Sequence, residues 1–209
     1  MDYIRNREEA AEMLADRLAQ YKGQKGVVLA IPRGGVPVAA PIAKRLGMPL
    51  EVIVSKKIGH PANPEFAIGA VSLEDVEVDH RSDVSEEYIR AETARLQESL
   101  RKKYKLFMGN RQPVDLRDRI VIIVDDGIAT GKTLLSTLEM VKKKHPRKII
   151  VAVPVAPYSA IERFKAIVDE VVCLLVPPFF QAVGQFYLEF SQTSDEEVIE
   201  LLRHQAATE

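Results

Sequence analysis

"VIIVDDGIATGKT", from Val121 to Thr133, sets an unbroken apolar run against two adjacent carboxylates, a glycine and a Thr-Gly-Lys-Thr segment. An apolar run without polar alternation is the pattern of a strand buried on both faces of a parallel sheet. A glycine turn and a helical pattern from about Leu134 to Lys144 follow it. In open α/β sheets ligands sit beyond the carboxyl ends of the strands. The stretch therefore puts carboxylates and hydroxyls where such a ligand would bind.

Gly131, Lys132 and Thr133 match the close of a nucleotide-binding P-loop, but the spacing excludes one. A P-loop needs a glycine five positions before its second, and Asp126 stands there, with Gly127 one residue late. No G-x-G-x-x-G follows any strand either, which argues against a dinucleotide site. The chemistry of the loop is still specific. Backbone N–H groups from Gly127 to Thr133 converge at a helix N-terminus, where the dipole favours an anion, and Thr130 and Thr133 add hydroxyl donors. A phosphate suits that cradle. Asp125 and Asp126 would repel it, so they require a neighbour that donates hydrogen bonds or carries positive charge. A ribose diol or a magnesium ion with its waters meets that demand. A plain turn at Asp126-Gly127 with Thr130 as a helix cap explains neither the second aspartate nor the donors after it.

Working outward, "VVLAI" after Gly26, "LEVIVS" from Leu50, "FAIGAV" from Phe66, "KIIVAVPV" from Lys148 and "EVVCLLV" from Glu170 are further strand candidates. Helical segments fall between them. Asn6 and Glu9 open an amphipathic helix carrying Ala10, Met13, Leu14 and Leu18. A second begins close to Pro37 and Pro41 and stops at Gly47. Asp83 and Glu86 cap a long helix striped by Ile89, Leu96, Leu100, Tyr104 and Phe107 and ending at Gly109. A further segment runs from about Ser159 to Ala166, and Ser194 with Glu197 boxes a last helix. "KKIGHPANPE", from Lys56 to Glu65, reads as a loop. Alternating strand and helix predicts an α/β fold with a doubly wound, mostly parallel sheet flanked by helices.

Composition bounds the partners. A chain of 209 residues buries roughly 70% of its extended-chain surface as one domain. With 29 basic and 30 acidic residues the net charge is −1, so no global field recruits nucleic acid or an anionic membrane. The single cysteine, Cys173, permits no internal disulfide and no cysteine-built zinc site, which suits a reducing compartment. No apolar run approaches the roughly 20 residues of a membrane span, and the charged N-terminus is unlike a signal peptide. Cytoplasm is the expectation.

The apolar strand, Asp125-Asp126, the short turn and Thr130-Gly131-Lys132-Thr133 together resemble the phosphoribosyl pyrophosphate signature of the type I phosphoribosyltransferases. "IPRGG" from Ile31, "SKKIGHPANPEFAIGAV" and "VPPFFQAVGQFYLEFSQTSDEEV" extend the likeness over most of the chain, to a branch of that family named mainly from sequence. The resemblance implies a single domain over 1–209, with a flexible loop and helical excursion at about 55–112 and a small C-terminal hood at about 177–209. It implies magnesium-dependent transfer of a phosphoribosyl group from phosphoribosyl pyrophosphate to a nitrogen acceptor, a nucleobase or similar heterocycle, with release of pyrophosphate. By the same resemblance Asp125 and Asp126 hold the ribose hydroxyls, and magnesium indirectly through ribose or water. Gly127 and the segment Ala129, Thr130, Gly131, Lys132, Thr133 would cradle the 5-phosphate. A homodimer is left open.

Such a transfer passes through an oxocarbenium-like state, so catalysis consists of positioning the acceptor and stabilising the leaving anion. Arg33, with Gly34 and Gly35 behind it, ends the first strand, where missing side chains let backbone amides approach a diphosphate. Lys56 and Lys57 follow the next strand and are expected to converge on the same crevice. The family's pyrophosphate loop implies a cis peptide near Arg33. His60 is given no role. Enzymes for 6-oxopurines carry an acid just before the Thr-Gly pair, and here that residue is Ala129, so a 6-oxopurine acceptor is not expected unless an acid near Glu65 or on the hood replaces it. In a chain with 6% aromatic residues, the hood gathers Phe179, Phe180, Phe186, Tyr187 and Phe190. Phe179, Phe180 and Tyr187 are read as facing the acceptor, and Phe186 and Phe190 as core. A non-catalytic protein that binds phosphoribosyl pyrophosphate and regulates a partner is the alternative; retention of Arg33 and the lysines favours the enzyme.

Overall fold

A computed structural model describes residues 3–79 and 83–206. Among the described residues eight strands are arranged in two sheets. The main sheet contains β1 (Gly26–Ala30), β2 (Leu50–Val52), β6 (Ile120–Val124), β7 (Lys148–Val155) and β8 (Glu170–Leu175) in the order β2-β1-β6-β7-β8, all parallel. Its side chains alternate between two cores, as the two-residue strand period requires. Val28, Ala30, Ile122, Val124 and Ile150 face one core, and Val27, Leu29, Val121, Ile123 and Val151 face the other. Both faces are covered, which is why the strands read as continuous apolar runs.

Helices α1 (Arg7–Arg17), α2 (Gly35–Leu46), α3 (Glu86–Met108) and α6 (Asp195–Ala206) contribute to the first core, and α4 (Lys132–Lys143) and α5 (Tyr158–Lys165) to the second. The chain leaves β1 through α2 toward β2 and leaves β6 through α4 toward β7, in opposite directions on opposite faces. The carboxyl ends of β1 and β6 thus form the topological switch point, where a crevice opens between neighbouring loops. No helix among the described residues is long and apolar enough to cross a membrane.

Local signals place several boundaries. The Asn6 side chain accepts from the Glu9 N–H at 3.0 Å, Ser194 Oγ accepts from the Glu197 N–H at 3.1 Å, and Gly47 ends α2 at φ 66°. Three expectations need correction. Lys56–Glu65 is not a loop: it holds β3 (Lys56–His60) and the start of β4 (Asn63–Val71), antiparallel strands that form a second sheet with β5 (Val76–Val78). Ile58 is the one fully buried residue of β3, whose other residues are exposed or half-buried, so the polar sequence of that strand hid it. The cap of α3 is Ser85, whose Oγ accepts from the Tyr88 N–H at 3.3 Å, while Asp83 lies 3.2 Å from His60 Nε2. Pro41 stands inside α2 rather than near its start; the buried face of α2 outweighs the missing N–H.

Candidate active site

The loop after β1 and the loop after β6 meet at the switch point. A Cβ on Gly34 would lie 2.0 Å from Asp126 Oδ2, and one on Gly35 would lie 2.7 Å from the Val124 carbonyl. Only glycine permits this approach. The peptide between Pro32 and Arg33 is cis, as the resemblance implies. Arg33, more than a third exposed, has Nη1 3.7 Å from Asp195 Oδ1 at the start of α6.

Asp125 and Asp126 are both half-buried at the end of β6. Asp125 Oδ1 accepts from the Asp126 N–H at 2.9 Å. Burial pushes the Asp125 carboxyl well above the usual range, the Asp126 charge adds to this, and Arg7 counters it. The turn then runs through Gly127, whose missing side chain leaves room for Val183 of the hood, to Gly131 at φ 71°. A Cβ on Gly131 would meet the Phe164 ring at 2.7 Å. Gly131 is the N-cap of α4, and no side chain caps that helix. Ala129, Thr130, Lys132 and Thr133 are exposed around this N-terminus. The opening thus combines a helix dipole with a turn of backbone amides.

The lysine pair is engaged away from Arg33. Lys56 Nζ donates to Ser99 Oγ on α3 at 2.8 Å, and Lys57 Nζ bonds Glu65 Oε2 across the hairpin at 2.8 Å. Lys103 on α3, which the sequence reading missed, is repelled by the charges of both Arg33 and Lys56. Burial lowers its pKa; Asp195 counters this, and the charges of Arg33 and Lys56 add to it. The ring of His60 is satisfied locally, with Nδ1 accepting from the Ala62 N–H at 3.1 Å and Nε2 facing Asp83.

The hood assigns its aromatic residues differently from the expectation. Phe186 is core, as read, at 2% exposure, with Phe180 stacked on it at 5.5 Å. Tyr187 is buried behind the loop rather than turned to a ligand, its hydroxyl donating to the Asp126 carbonyl at 2.7 Å. Phe190, read as core, is 39% exposed and lines the crevice. Phe179 is 79% exposed. The N-terminal segment is stitched to this hood: the Ile4 N–H donates to Phe186 O and the Leu188 N–H to Ile4 O, both at 2.9 Å.

That stitching delivers Arg7, the other residue sequence reasoning missed. Its Nε and Nη2 donate to Asp126 Oδ2 at 3.0 and 2.8 Å, and its Nη1 donates to Ser191 O at 2.8 Å. The guanidinium carbon lies 4.1 Å from the Phe190 ring centroid, and Tyr187 stacks on Phe190 at 4.8 Å. One signal could have flagged it: a cation in the first position of a helix opposes the macrodipole, so its place there calls for a partner. Arg7, Arg33, Gly34, Asp126, Phe190 and Thr193 line a cavity of about 390 Å³. Cys173 plays no part: burial pushes its thiol up to about 11, and it donates to Leu175 O at 3.2 Å.

A five-stranded parallel sheet with a carboxylate pair and a glycine-led helix without a side-chain cap at its switch point defines the class as an α/β protein with an open crevice at the carboxyl ends of its strands. The family model described as the phosphoribosyl transferase domain matches residues 4–191, and the chain belongs to that family. Two Mycobacterium tuberculosis proteins whose names propose a phosphoribosyl transferase, from strains CDC 1551 and H37Rv, are each 41% identical over 207 residues, 97% of this chain and 47% of theirs. The chain spans about half the length of these curated relatives. The crystal structure of TT1426 from Thermus thermophilus is 41% identical and superposes with a TM-score of 0.86, covering 98% of this chain and 99% of that one. The AQ2163 protein of Aquifex aeolicus shares the fold at 13% identity and a TM-score of 0.50, over 81% and 74% of the two chains.

Proposed function

We propose that this chain is one phosphoribosyltransferase domain that transfers the phosphoribosyl group of phosphoribosyl pyrophosphate to a nitrogen acceptor, a nucleobase or similar heterocycle. The observation that carries the reading is the contact between the loops after β1 and β6, where the Gly34 backbone meets Asp126 so closely that a Cβ would stand 2.0 Å from its Oδ2. The closeness of the β1 loop to the carboxylate pair supports the reading, since a ribose bearing pyrophosphate at C1 needs an anion site beside a diol site. Asp125 and Asp126 accept from the ribose 2- and 3-hydroxyls, and residues 127–133 hold the 5-phosphate at the α4 N-terminus. Arg33, Gly34 and Gly35 receive the pyrophosphate as the C1–O bond breaks, and the acceptor nitrogen closes on C1 from the hood side. Preorganised donors at a leaving anion are the main source of such catalysis.

Among the described residues no cluster of three or more His, Cys, Asp or Glu side chains is placed to hold a metal. Magnesium held by substrate oxygens and water needs few protein ligands, and Asp125 with Asp126 fits that role indirectly. A bound magnesium ion would neutralise charge on the pyrophosphate oxygens. The engagement of Lys56 by Ser99 and of Lys57 by Glu65 favours a second reading, a regulatory protein that binds phosphoribosyl pyrophosphate without turnover. The test is calorimetry with phosphoribosyl pyrophosphate and magnesium, followed by pyrophosphate release in an acceptor screen. Binding that the Asp125→Ala, Asp126→Ala double variant abolishes is expected, and unchanged affinity in that folded variant overturns the reading. Binding without release for any acceptor would favour the regulatory protein.

A further inference from the structure

We infer that Arg7 is a positioning residue for ribose binding, acting through Asp126. The inference rests on the proposed function and adds to it a residue from the other end of the chain. Both Nε and Nη2 of Arg7 go to the same carboxylate oxygen, Oδ2. The Gly34 backbone closes on that oxygen from another side. Oδ2 is therefore committed to the protein, and Oδ1 is the oxygen of Asp126 left to accept from a ribose hydroxyl.

Three further contacts fix the arrangement. Nη1 of Arg7 is held by Ser191 O, its guanidinium stacks on Phe190, and Tyr187 both stacks on Phe190 and donates to the Asp126 carbonyl. Arg7 and Asp126 are 12% and 16% exposed in their side chains, so solvent screens the pair little and its geometry persists. Two consequences follow. The carboxylate is locked in one rotamer before the sugar arrives, which removes an ordering cost from binding. One of two adjacent negative charges is also neutralised beside a loop that must accept a phosphate, where two bare carboxylates would repel it.

The experiment measures calorimetric affinity for ribose 5-phosphate and, separately, for pyrophosphate. It uses the full chain as wild type, Arg7→Met, Arg7→Lys, Asp126→Asn and Arg7→Met with Asp126→Asn. Methionine retains an apolar stem on Phe190 and removes charge and donors; thermal melts confirm that each variant is folded. Arg7→Met should weaken ribose 5-phosphate about tenfold or more, as loss of a charge-assisted contact does, and Arg7→Lys should recover part of this. Pyrophosphate affinity should change less than about threefold. In the Asp126→Asn background Arg7→Met should have little further effect, because the residue works through that carboxylate. Undiminished ribose 5-phosphate binding by Arg7→Met, or an equal loss with and without Asp126, overturns the inference while the proposed function stands. A wild-type chain that does not bind ribose 5-phosphate overturns both.

Discussion

Replacing Gly34 with alanine tests the loop contact on which the site is built. A Cβ there would stand 2.0 Å from Asp126 Oδ2 and 2.6 Å from its Cγ, whereas real Cβ atoms keep at least 3.0 Å from such neighbours. The carboxylate must therefore retreat by about 1 Å, or the loop must shift by as much. The carboxylate has little freedom to do so, because Arg7 holds Oδ2 and Tyr187 holds the backbone carbonyl of the same residue. Overpacking of this kind costs about 1–3 kcal/mol. At roughly 2–4 °C per kcal/mol for a chain of this size, the melting temperature should fall by about 5 °C. Ribose 5-phosphate affinity should fall by about tenfold or more, since displacement of Asp126 loses at least one hydrogen bond to a charged group. Differential scanning calorimetry and isothermal titration on the same preparation measure both. A melting temperature within about 1 °C of wild type, with unchanged affinity, would refute the reasoning: the two loops would then not be held together by this contact.

Arg33→Ala should weaken pyrophosphate binding more than ribose 5-phosphate binding, because Arg33 lies after β1 and the proposed phosphate cradle after β6; equal losses count against that division. With Ala129 in place of a proton-handling acid, hypoxanthine and guanine should be poor acceptors, given that general acid–base catalysis contributes about 100- to 10,000-fold. Steady-state kinetics with hypoxanthine, guanine, adenine, uracil and orotate decide this, and efficient turnover of either 6-oxopurine refutes it. Glu51, on β2, is 5% exposed, and burial raises its carboxyl above the unfolded value of 4.5 despite hydrogen bonds from the Val52 and Val114 N–H groups. Its folded form therefore binds the proton more tightly, so its contribution is full below 4.5 and is lost as pH rises through the folded value. Melting curves across that range should show wild type losing ground to Glu51→Gln as pH rises, and a constant difference would exclude the linkage.

The sequence by itself determined the parallel core and the position of its central loop. Continuous apolar runs such as Ile120–Val124 and Ile149–Val153 admit burial on both faces, and Asn6, Gly47 and Ser194 mark helix ends by bonds that span only a few residues. Asp125-Asp126 and the glycine-led helix after it are likewise one local segment, so their chemistry is written in order. Only the tertiary structure decided what those groups touch. β3 is polar apart from Ile58, and its pairing with β4, Lys56 with Val71 and Lys57 with Ala70, is what makes it a strand. Arg7 meets Asp126 across 119 residues, a contact that depends on the Ile4 bridge to the hood rather than on either residue's neighbours. Tyr187 and Phe190 exchanged their expected places because residues three apart on an irregular segment face whichever way the chain bends, and the bend is set by its pairing with Ile4 and Arg5. Periodicity speaks only where the backbone is regular; in the loops and hood that shape the site, side-chain direction follows from contacts between distant parts of the chain.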